Sequence, residues 1–564
     1  MAARISHFKK SDGEHFFSRH LTEYFVQYIR KSFYGGYMKK LSVWVLALCA
    51  AVLCFSACGK KSASGAEFTI SNGAEPQSID PTQIEGVPEH RIYLALFEGL
   101  VGYDVKTCEA VPGVAESWER SADNTVVTFH LRKTTWSDGT PITAKTFVDS
   151  WLYYMSPKTA AVYAYMPALV IKGAKEYNEG KAPETSVGIR AVDDYTFEVT
   201  LVGPVPYAID MMAHYAFAPL PMHAIEKYGS EWIKKEHFVG NGPFVLESWV
   251  PQDKLTVVPN DKYWNKENIF LSRITFLPIE DSVTSYNKYK NGEIDWNSSS
   301  AHIPPDLIDE VALRDDYQCA PYLGSYYAFF NVNNKTLKDV RVRKALILAL
   351  DTKELVEKVT KGGEMATGTF VPEMAGYTPP KGFSFDAVGA KKLLAEAGYP
   401  DGKGFPVLTY IFNTNEKHKK TAEWVQQQWK KNLGINVELQ NMEWNSVLTK
   451  RQANDFEIAR AGWIGDYKDP SNFLELLTTG SGNNDGRYSV PEFDKLVSDA
   501  ARMPAGPERM KVLEKAESIA IARDAAVIPM YIYVSQCLID LNKWDGWYSN
   551  VLDIHAYTGI KPKK

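Results

Sequence analysis

One segment in the second half of the chain limits the possible folds more than any other. The run "PVLTYIFN" is typical of a strand, a helix is predicted from Glu416 to Leu433, and Gly434 follows where a helix end favours glycine. A second strand-like run, "INVELQNM", comes directly after it. Strand, helix and strand joined in this way form a βαβ unit, which is the building block of mixed α/β proteins.

Other segments alternate between strand and helix patterns in the same way. "VVTFHLR" (126–132) and "YTFEVTLV" (195–202) predict strands, and "WSDG" (136–139) predicts a turn. "TAKTFVDSWLYY" predicts a helix with Thr143 as its N-cap. The chain has 564 residues, 45% of them hydrophobic, which is enough for two to four folding units. We therefore expect a mixed α/β protein throughout.

An export signal precedes these segments. "MKKLSVWVLALCAAVLCFSACGKK" starts at Met38 with two lysines and continues with an apolar run that ends at Phe55, ahead of small residues and Cys58. The run is shorter than the ~20 residues that span a bilayer. It resembles the lipobox of bacterial lipoproteins, although Phe55 stands where leucine is usual. We predict a signal peptide at 38–57, a lipid on Cys58 and a tether at 58–65; an ordinary secretory signal and an uncleaved anchor are the alternatives.

Composition limits the partners and cofactors. Residues 1–37 look unlike a signal, and we expect them to arise from an upstream start codon. Without residues 1–57 the chain keeps 55 basic and 65 acidic side chains, a net charge of −10, which argues against nucleic acid as a partner. Cys108, Cys319 and Cys537 then remain besides the lipid-bearing cysteine, and they allow one disulfide at most. No metal motif is present, so we predict neither metal nor cofactor.

Signatures of catalysis are absent from the sequence. There is no G-x-S-x-G, H-E-x-x-H, P-loop or G-x-G-x-x-G pattern, and the eleven histidines are scattered. Catalytic triads assemble from distant positions, so a secreted hydrolase stays open as an alternative. We nevertheless predict a binding protein that is not an enzyme.

Several longer segments carry a family resemblance. They begin with "SNGAEPQSIDPTQIEGVPEHRIYLALFEGL" and "VPGVAESWERSADNTVVTFHLRKTTWSDGTPITAKTFVDSW" and continue with "NGPFVLESW", "KNGEID", "LKDVRVRKALILALD" and "KKLLAEAGYP". In this order they resemble the extracytoplasmic oligopeptide-binding proteins of ABC peptide importers, bacterial family 5 solute-binding proteins, over essentially all of residues 66–564.

The resemblance implies a two-lobed periplasmic-binding-protein-like α/β fold, with an inserted domain and a ligand cleft between the lobes. The predicted domains are lobe one at 66–97, 222–321 and 535–564, the inserted domain at 98–221, and lobe two at 322–534.

The octet "RAGWIGDY" holds the central site prediction. It follows the alternating run "DFEIA" and places Arg460, Gly462, Trp463 and Asp466 within seven positions. A receptor for peptides of variable sequence can recognise only the ammonium group, the backbone and the carboxylate. Gly462 would permit close approach of backbone, Trp463 would supply a flat wall, and Asp466 would bind the ammonium group. The alternative is that the two charges are at the surface or pair with each other, and that the indole belongs to the core.

The resemblance also implies roles for further residues. Asp466 matches the family's clamp for the peptide amino terminus, while Arg460 and His418 resemble residues that hold carboxylates of peptides of different length. His418 could equally lie on a solvated helix surface. The remaining matches are expected to contact the ligand backbone or side chains: Glu85, Val87, Tyr163, Arg451, Trp444, Tyr327 and Tyr533. For Trp444, Tyr327 and Tyr533 a position in the core is an equal alternative.

The function predicted from these features is ligand capture outside the cytoplasmic membrane. We expect a monomeric, lipid-anchored subunit in the periplasm or at the cell surface, which binds short peptides and delivers them to the transmembrane subunits of an ABC permease. Another cargo, such as a murein peptide, is one alternative. A surface adhesin or folding helper with the same fold is another.

Overall fold

The structure is a computed structural model that describes residues 65–564. The predicted signal peptide and Cys58 lie outside the described residues. The strands, numbered in chain order, are β1 (Ala66–Ser71), β2 (Val101–Tyr103), β3 (Ala110–Pro112), β4 (Ala115–Arg120), β5 (Val126–Leu131), β6 (Thr134–Thr135), β7 (Pro141–Ile142), β8 (Ile189–Asp193), β9 (Thr196–Thr200), β10 (Phe244–Val250), β11 (Lys254–Pro259), β12 (Leu271–Leu277), β13 (Trp296–Asn297), β14 (Tyr317–Phe330), β15 (Met365–Ala366), β16 (Leu408–Asn413), β17 (Val437–Met442), β18 (Ile458–Ile464), β19 (Val527–Ile539), β20 (Trp544–Asp545) and β21 (Lys561–Pro562).

Helices separate many of these strands, as the alternating patterns predict. The α-helices are α1 (Val87–Leu96), α2 (Ala144–Met155), α3 (Tyr165–Val170), α4 (Ala174–Asn178), α5 (Ala208–Met211), α6 (Met222–Tyr228), α7 (Ser282–Lys290), α8 (Ile308–Val311), α9 (Val340–Leu348), α10 (Thr352–Glu354), α11 (Ala387–Glu396), α12 (Glu416–Leu433), α13 (Trp444–Gln452), α14 (Ser471–Leu474), α15 (Pro491–Ala501) and α16 (Pro507–Glu517).

The predicted βαβ unit is confirmed. Strands β16 and β17 pair in parallel along their whole length, and helix α12 connects them. The Asn415 side chain caps the start of α12, and Gly434 ends it in the left-handed conformation at φ 74°. The predicted helix after Thr143 is α2, which begins with a capping box between Thr143 and Thr146.

One large sheet passes through the molecule in the order β10-β11-β12-β1-β13-β19-β14-β18-β16-β17, with β15 attached to β19. The long strands β14 and β19 lie in its middle and pair with each other along most of their length. Their register is interrupted between Pro321 and Ser325, where the partner residues are Val534 and Ile532. The sheet therefore has two parts that share these two strands and meet at an irregular point of their ladder.

A separate four-stranded antiparallel sheet, β4-β5-β9-β8, lies within residues 115–200. The predicted strands at 126–132 and 195–202 are its β5 and β9, which pair from Val126 with Thr200 to His130 with Thr196. Helix α2 packs on this sheet through Phe147 and Trp151, whose rings contact Phe197.

Within residues 65–564, no helix combines the length and the apolar character needed to cross a membrane. The same part of the chain has no cluster of three or more His, Cys, Asp or Glu side chains arranged to hold a metal ion. Cys319 and Cys537 are free thiols on adjacent strands. In the ladder Cys319 lies opposite Gln536, so it shares a sheet face with Gln536 and not with Cys537. This register keeps the two thiols apart.

Candidate functional site

A cavity lies where the two parts of the large sheet meet, with about 1580 Å³ of empty space, some of it open to solvent. Segments from distant parts of the chain line it, including the loop before α1, the start of α12, and strand β18 with the loop after it. All twelve predicted ligand-contacting residues are among its lining residues: Glu85, Val87, Tyr163, Tyr327, His418, Trp444, Arg451, Arg460, Gly462, Trp463, Asp466 and Tyr533.

Strand β18 positions three of them by its pleat. The Arg460 side chain and the α-carbon face of Gly462 lie on one side of the sheet and the Trp463 side chain on the other, because successive residues of a strand alternate. A Cβ atom at Gly462 would collide with the hydroxyl oxygen of Tyr533, which accepts a 3.0 Å hydrogen bond from Arg460 Nη2. Room for this pair is by itself a reason for glycine here, and close approach of a ligand backbone to Gly462 stays a prediction.

Asp466 contributes a carboxylate to the lining of the cavity. Its carboxylate is 11% exposed, and Asn472 Nδ2 donates to its Oδ2 at 3.3 Å. His214 Nε2 lies 3.3 Å from the other oxygen, Oδ1, without the alignment of a hydrogen bond. Among the described residues, no lysine or arginine lies within 4.0 Å of Asp466. The carboxylate is therefore buried without a fixed cation.

An aromatic wall adjoins this carboxylate. The Trp463 indole is buried, donates from Nε1 to Asn472 Oδ1 at 2.9 Å, and stacks on Tyr163 with the ring centroids 6.0 Å apart. Burial raises the pKa of Tyr163 well above its usual value, so its hydroxyl stays neutral. Trp463 thus belongs to the core and to the cavity surface at once.

Arg460 places a buried cation in the same cavity. Nη1 donates to Asn413 Oδ1 at 3.2 Å, and the guanidinium lies over the ring of Tyr326 at 5.0 Å from its centroid. The side chain is buried, and its Nε has no hydrogen-bond partner within the described residues. Nor does an acidic side chain in 65–564 lie within 4.0 Å of it, so the possibility that Arg460 pairs with Asp466 is wrong.

His418 and Lys417, at the start of α12, line the cavity near Arg460. His418 is 2% exposed, so the possibility that it lies on a solvated surface is wrong. Burial, with nearby Arg460, lowers the pKa of His418 well below its usual value, so it contributes a neutral imidazole rather than a cation. Lys417, which the sequence analysis missed, lines the cavity and forms a buried ion pair with Glu364.

Buried charges also connect Glu85, before α1, with α13. The Arg451 guanidinium holds Asp485 Oδ2 at 2.6 Å from Nη2 and 2.8 Å from Nε, and lies 3.7 Å from Glu85 Oε1. Gln452 donates to Glu85 Oε2 at 3.0 Å. Burial raises the pKa of Glu85 to about 7 although Arg451 opposes the shift. The protein itself therefore satisfies much of the charge of Arg451.

The remaining predicted aromatic residues serve the core and the cavity together. Tyr327 is only 1% exposed and packs against Phe370 with ring centroids 4.9 Å apart, yet it lines the cavity. Tyr533 accepts from Arg460, while Trp444 is half-buried and its Nε1 has no partner in the described residues. These residues therefore combine the two predicted positions, because they pack in the protein interior and also line the cavity.

Fold and site together define a bilobed ligand-binding protein. Two parts of a sheet that share two strands enclose a cavity, whose lining includes a carboxylate without a lysine or arginine partner and a guanidinium without an acidic partner among residues 65–564. The chain belongs to the bacterial extracellular solute-binding proteins of family 5, whose family model for the middle region matches residues 109–485.

Individual relatives cover nearly the whole chain. The periplasmic oligopeptide-binding protein OppA of Salmonella typhimurium is 38% identical over 516 residues, which are 90% of this chain and 94% of the relative. The structure of Haemophilus influenzae OppA in complex with the peptide RPPGFSPFR superimposes with a TM-score of 0.84 at 35% identity, covering 89% of this chain and 99% of that one.

The murein tripeptide-binding protein MppA of Escherichia coli adds information on conformation. Its structure superimposes with a TM-score of 0.85 at 36% identity, over 89% of this chain and 99% of that one. The unliganded open form of MppA, also 36% identical, superimposes with a TM-score of only 0.60 and covers 89% of this chain and 98% of that one. The described conformation is therefore unlike that open form.

Proposed function

We propose that this protein captures short peptides in extended form, with their ammonium group at Asp466 and their carboxylate at Arg460. One observation carries the proposal: in the described part of the chain, the cavity holds a buried carboxylate without a lysine or arginine partner and a buried guanidinium without an acidic partner. Burying an unpaired charge is costly, so these two groups need a ligand that brings both opposite charges. A free peptide is such a zwitterion, whatever its side chains.

The other cavity residues have supporting roles in this proposal. Trp463 and Tyr163 form a flat wall that tolerates many side chains. Neutral His418 is a hydrogen-bond partner for carboxylates placed differently from those that reach Arg460, and water can fill the gaps. Backbone and side-chain contacts to the middle of the peptide come from Glu85, Val87, Trp444, Arg451, Tyr327, Tyr533 and Gly462.

The relatives support peptide as the ligand class, because OppA and MppA are named for oligopeptide and murein peptide. Murein peptide is the second candidate for this chain. It is favoured by the equally high similarity of the MppA structure, with a TM-score of 0.85. Both candidates are peptides, so the proposed roles of Asp466 and Arg460 apply to either.

Closure of two lobes around the peptide is part of the proposal, with the domain boundaries predicted above. The hinge lies at the register breaks near Pro321 and Val534, where β14 and β19 pass between the parts of the sheet. Across the predicted lobes, Gln452 donates to Glu85 and Lys420 pairs with Asp306 at 2.6 Å. Such contacts favour the closed state in which both lobes reach the ligand.

The wider setting completes the proposal. The protein works outside the cytoplasmic membrane, is anchored by a lipid on Cys58, acts as a monomer, and transfers its peptide to an ABC permease without catalysing a reaction. The family membership and the export signal support an extracytoplasmic location.

Mass spectrometry of ligands released from the purified protein tests the proposed function directly. We expect short peptides with free amino and carboxyl termini, or murein peptides if the second candidate is correct. A matched sample of the Asp466→Asn, Arg460→Met double variant should release far less. Recovery of no peptide, followed by failure of the stripped protein to bind free tripeptides in calorimetry, would refute the proposal.

A further inference from the structure

Two side chains outside the predicted set lie against the two oxygens of the Asp466 carboxylate. Asn472, in α14, donates to Oδ2 at 3.3 Å, and its own Oδ1 accepts from the Asp466 N–H at 3.0 Å and from Trp463 Nε1 at 2.9 Å. His214 faces Oδ1 at 3.3 Å through Nε2. Asn472 is 1% exposed and His214 is fully buried, so both contacts are shielded from bulk solvent.

The hydrogen bonds fix the orientation of both groups. Two donors face Oδ1 of Asn472, so its amino group must be the side that points to the carboxylate. His214 Nδ1 accepts from the Ala216 N–H at 3.2 Å, which leaves the ring proton on Nε2, toward Asp466. Asn472 therefore donates an N–H to the carboxylate, and His214 places its ring N–H beside the other oxygen without the alignment of a hydrogen bond.

The loop that carries these groups is held in place by a separate ion pair. Asp469 receives two hydrogen bonds from Arg509, at 2.7 and 2.8 Å, and accepts from the N–H of Ser471 at the start of α14. The guanidinium is fully buried. This pair anchors the turn between Asp466 and Asn472, so the amide is fixed relative to the carboxylate.

We infer that Asn472 and His214 are positioning residues for the ammonium group of the ligand. Asn472 orients the Asp466 carboxylate through its hydrogen bond, the His214 ring faces the other oxygen, and both leave the position of the cation to the ligand. A lysine or arginine in either place would neutralise Asp466 and compete with the ligand ammonium. The inference rests on the proposed function, because it specifies how the same site recognises a free amino terminus.

The test compares tri-alanine with N-acetyl tri-alanine in calorimetry on the full-length protein. Asn472→Leu should weaken tri-alanine binding by about 10- to 100-fold, since hydrogen bonds to a charged group are lost, and should leave the affinity for the acetylated peptide almost unchanged. Asn432→Leu is the matched control: it removes another buried amide, which donates to Ala349 O and does not line the cavity. The control should not change the preference for the free peptide.

His214 provides a second, independent comparison in case the Asn472 variant folds poorly. His214→Gln can keep an N–H donor near the position of Nε2 and should keep most of the preference, whereas His214→Phe should lose it. If Asn472→Leu and His214→Phe both bind the two peptides in the unmodified protein's ratio, the positioning inference is wrong. If the unmodified protein itself does not distinguish the two peptides, it is the proposed ammonium site that fails.

Discussion

Replacing Asp466 by Asn removes one charge from the cavity and little else. The amide has nearly the shape of the carboxylate and can still meet Asn472, but it cannot compensate an ammonium group. The Asp466 side chain is 11% exposed and has no lysine or arginine nearby in residues 65–564, so solvent and protein charges would screen its attraction little. Breaking such a buried pair typically costs about 3–5 kcal/mol, which predicts tripeptide binding weaker by roughly two to three and a half powers of ten.

Acetylating the peptide amine removes the other partner of the same pair. We expect N-acetyl tripeptide to bind the unmodified protein more weakly by a similar order, and to lose little more on the Asp466→Asn variant. This non-additivity separates a direct contact from general damage to the cavity. Asp149→Asn, on the exposed side of α2, removes a carboxylate remote from the site and serves as the control.

Calorimetry on the unmodified protein and the Asp466→Asn variant, each with free and N-acetyl tripeptide, tests whether Asp466 binds the ammonium group. Equal affinity of free and acetylated tripeptide for the unmodified protein would refute the reasoning, because Asp466 would then not be the ammonium receptor. Fully additive losses would show that the variant damages the cavity by another route.

Three further predictions concern other parts of the chain. Arg460→Met should weaken binding of peptides with a free carboxylate but not of C-amidated ones, and should raise the Tm of the empty protein, because an uncompensated buried charge is removed; unchanged discrimination in calorimetry would contradict this. Burial raises the pKa of Glu475 in the folded protein to about 8, from a value of 4.5 in the unfolded chain. The free energy of unfolding that depends on the protonated carboxyl group is therefore fully present below pH 4.5 and is lost as the pH rises through 8. The Tm of the Glu475→Gln variant, measured relative to that of the unmodified protein, should therefore increase as the pH rises over that range. A Tm difference that does not depend on pH would contradict this prediction. Cys58→Ala should abolish labelling with radioactive palmitate, and label remaining on that variant would exclude Cys58 as the lipidated residue.

Local chemistry made much of the fold predictable. The limits of α12 follow from its apolar periodicity and from Gly434 at its end, and both agree with the structure. The octet was also informative, because a strand of alternating residues followed by a loop brings Arg460 and Asp466 to one cavity. Their roles toward a ligand stay predictions.

Contacts over long sequence distances account for what the sequence analysis missed. Lys417 pairs with Glu364, 53 positions away, and a run of neighbouring lysines concealed it. Helical spacing was a usable signal, since Lys417, Thr421 and Trp424 share the buried face of α12. His214 gave no such signal, because it meets Asp466 only through the packing of distant segments.

The two shared strands, β14 and β19, have a consequence for protein engineering. The boundary between the two parts of the sheet crosses hydrogen-bonded strands and not a flexible linker. A fragment truncated there would lose a strand from the middle of the sheet and expose unpaired backbone groups, which promote aggregation. Neither part is thus a module for separate expression, and a reporter domain inserted to build a biosensor belongs in exposed loops away from these strands.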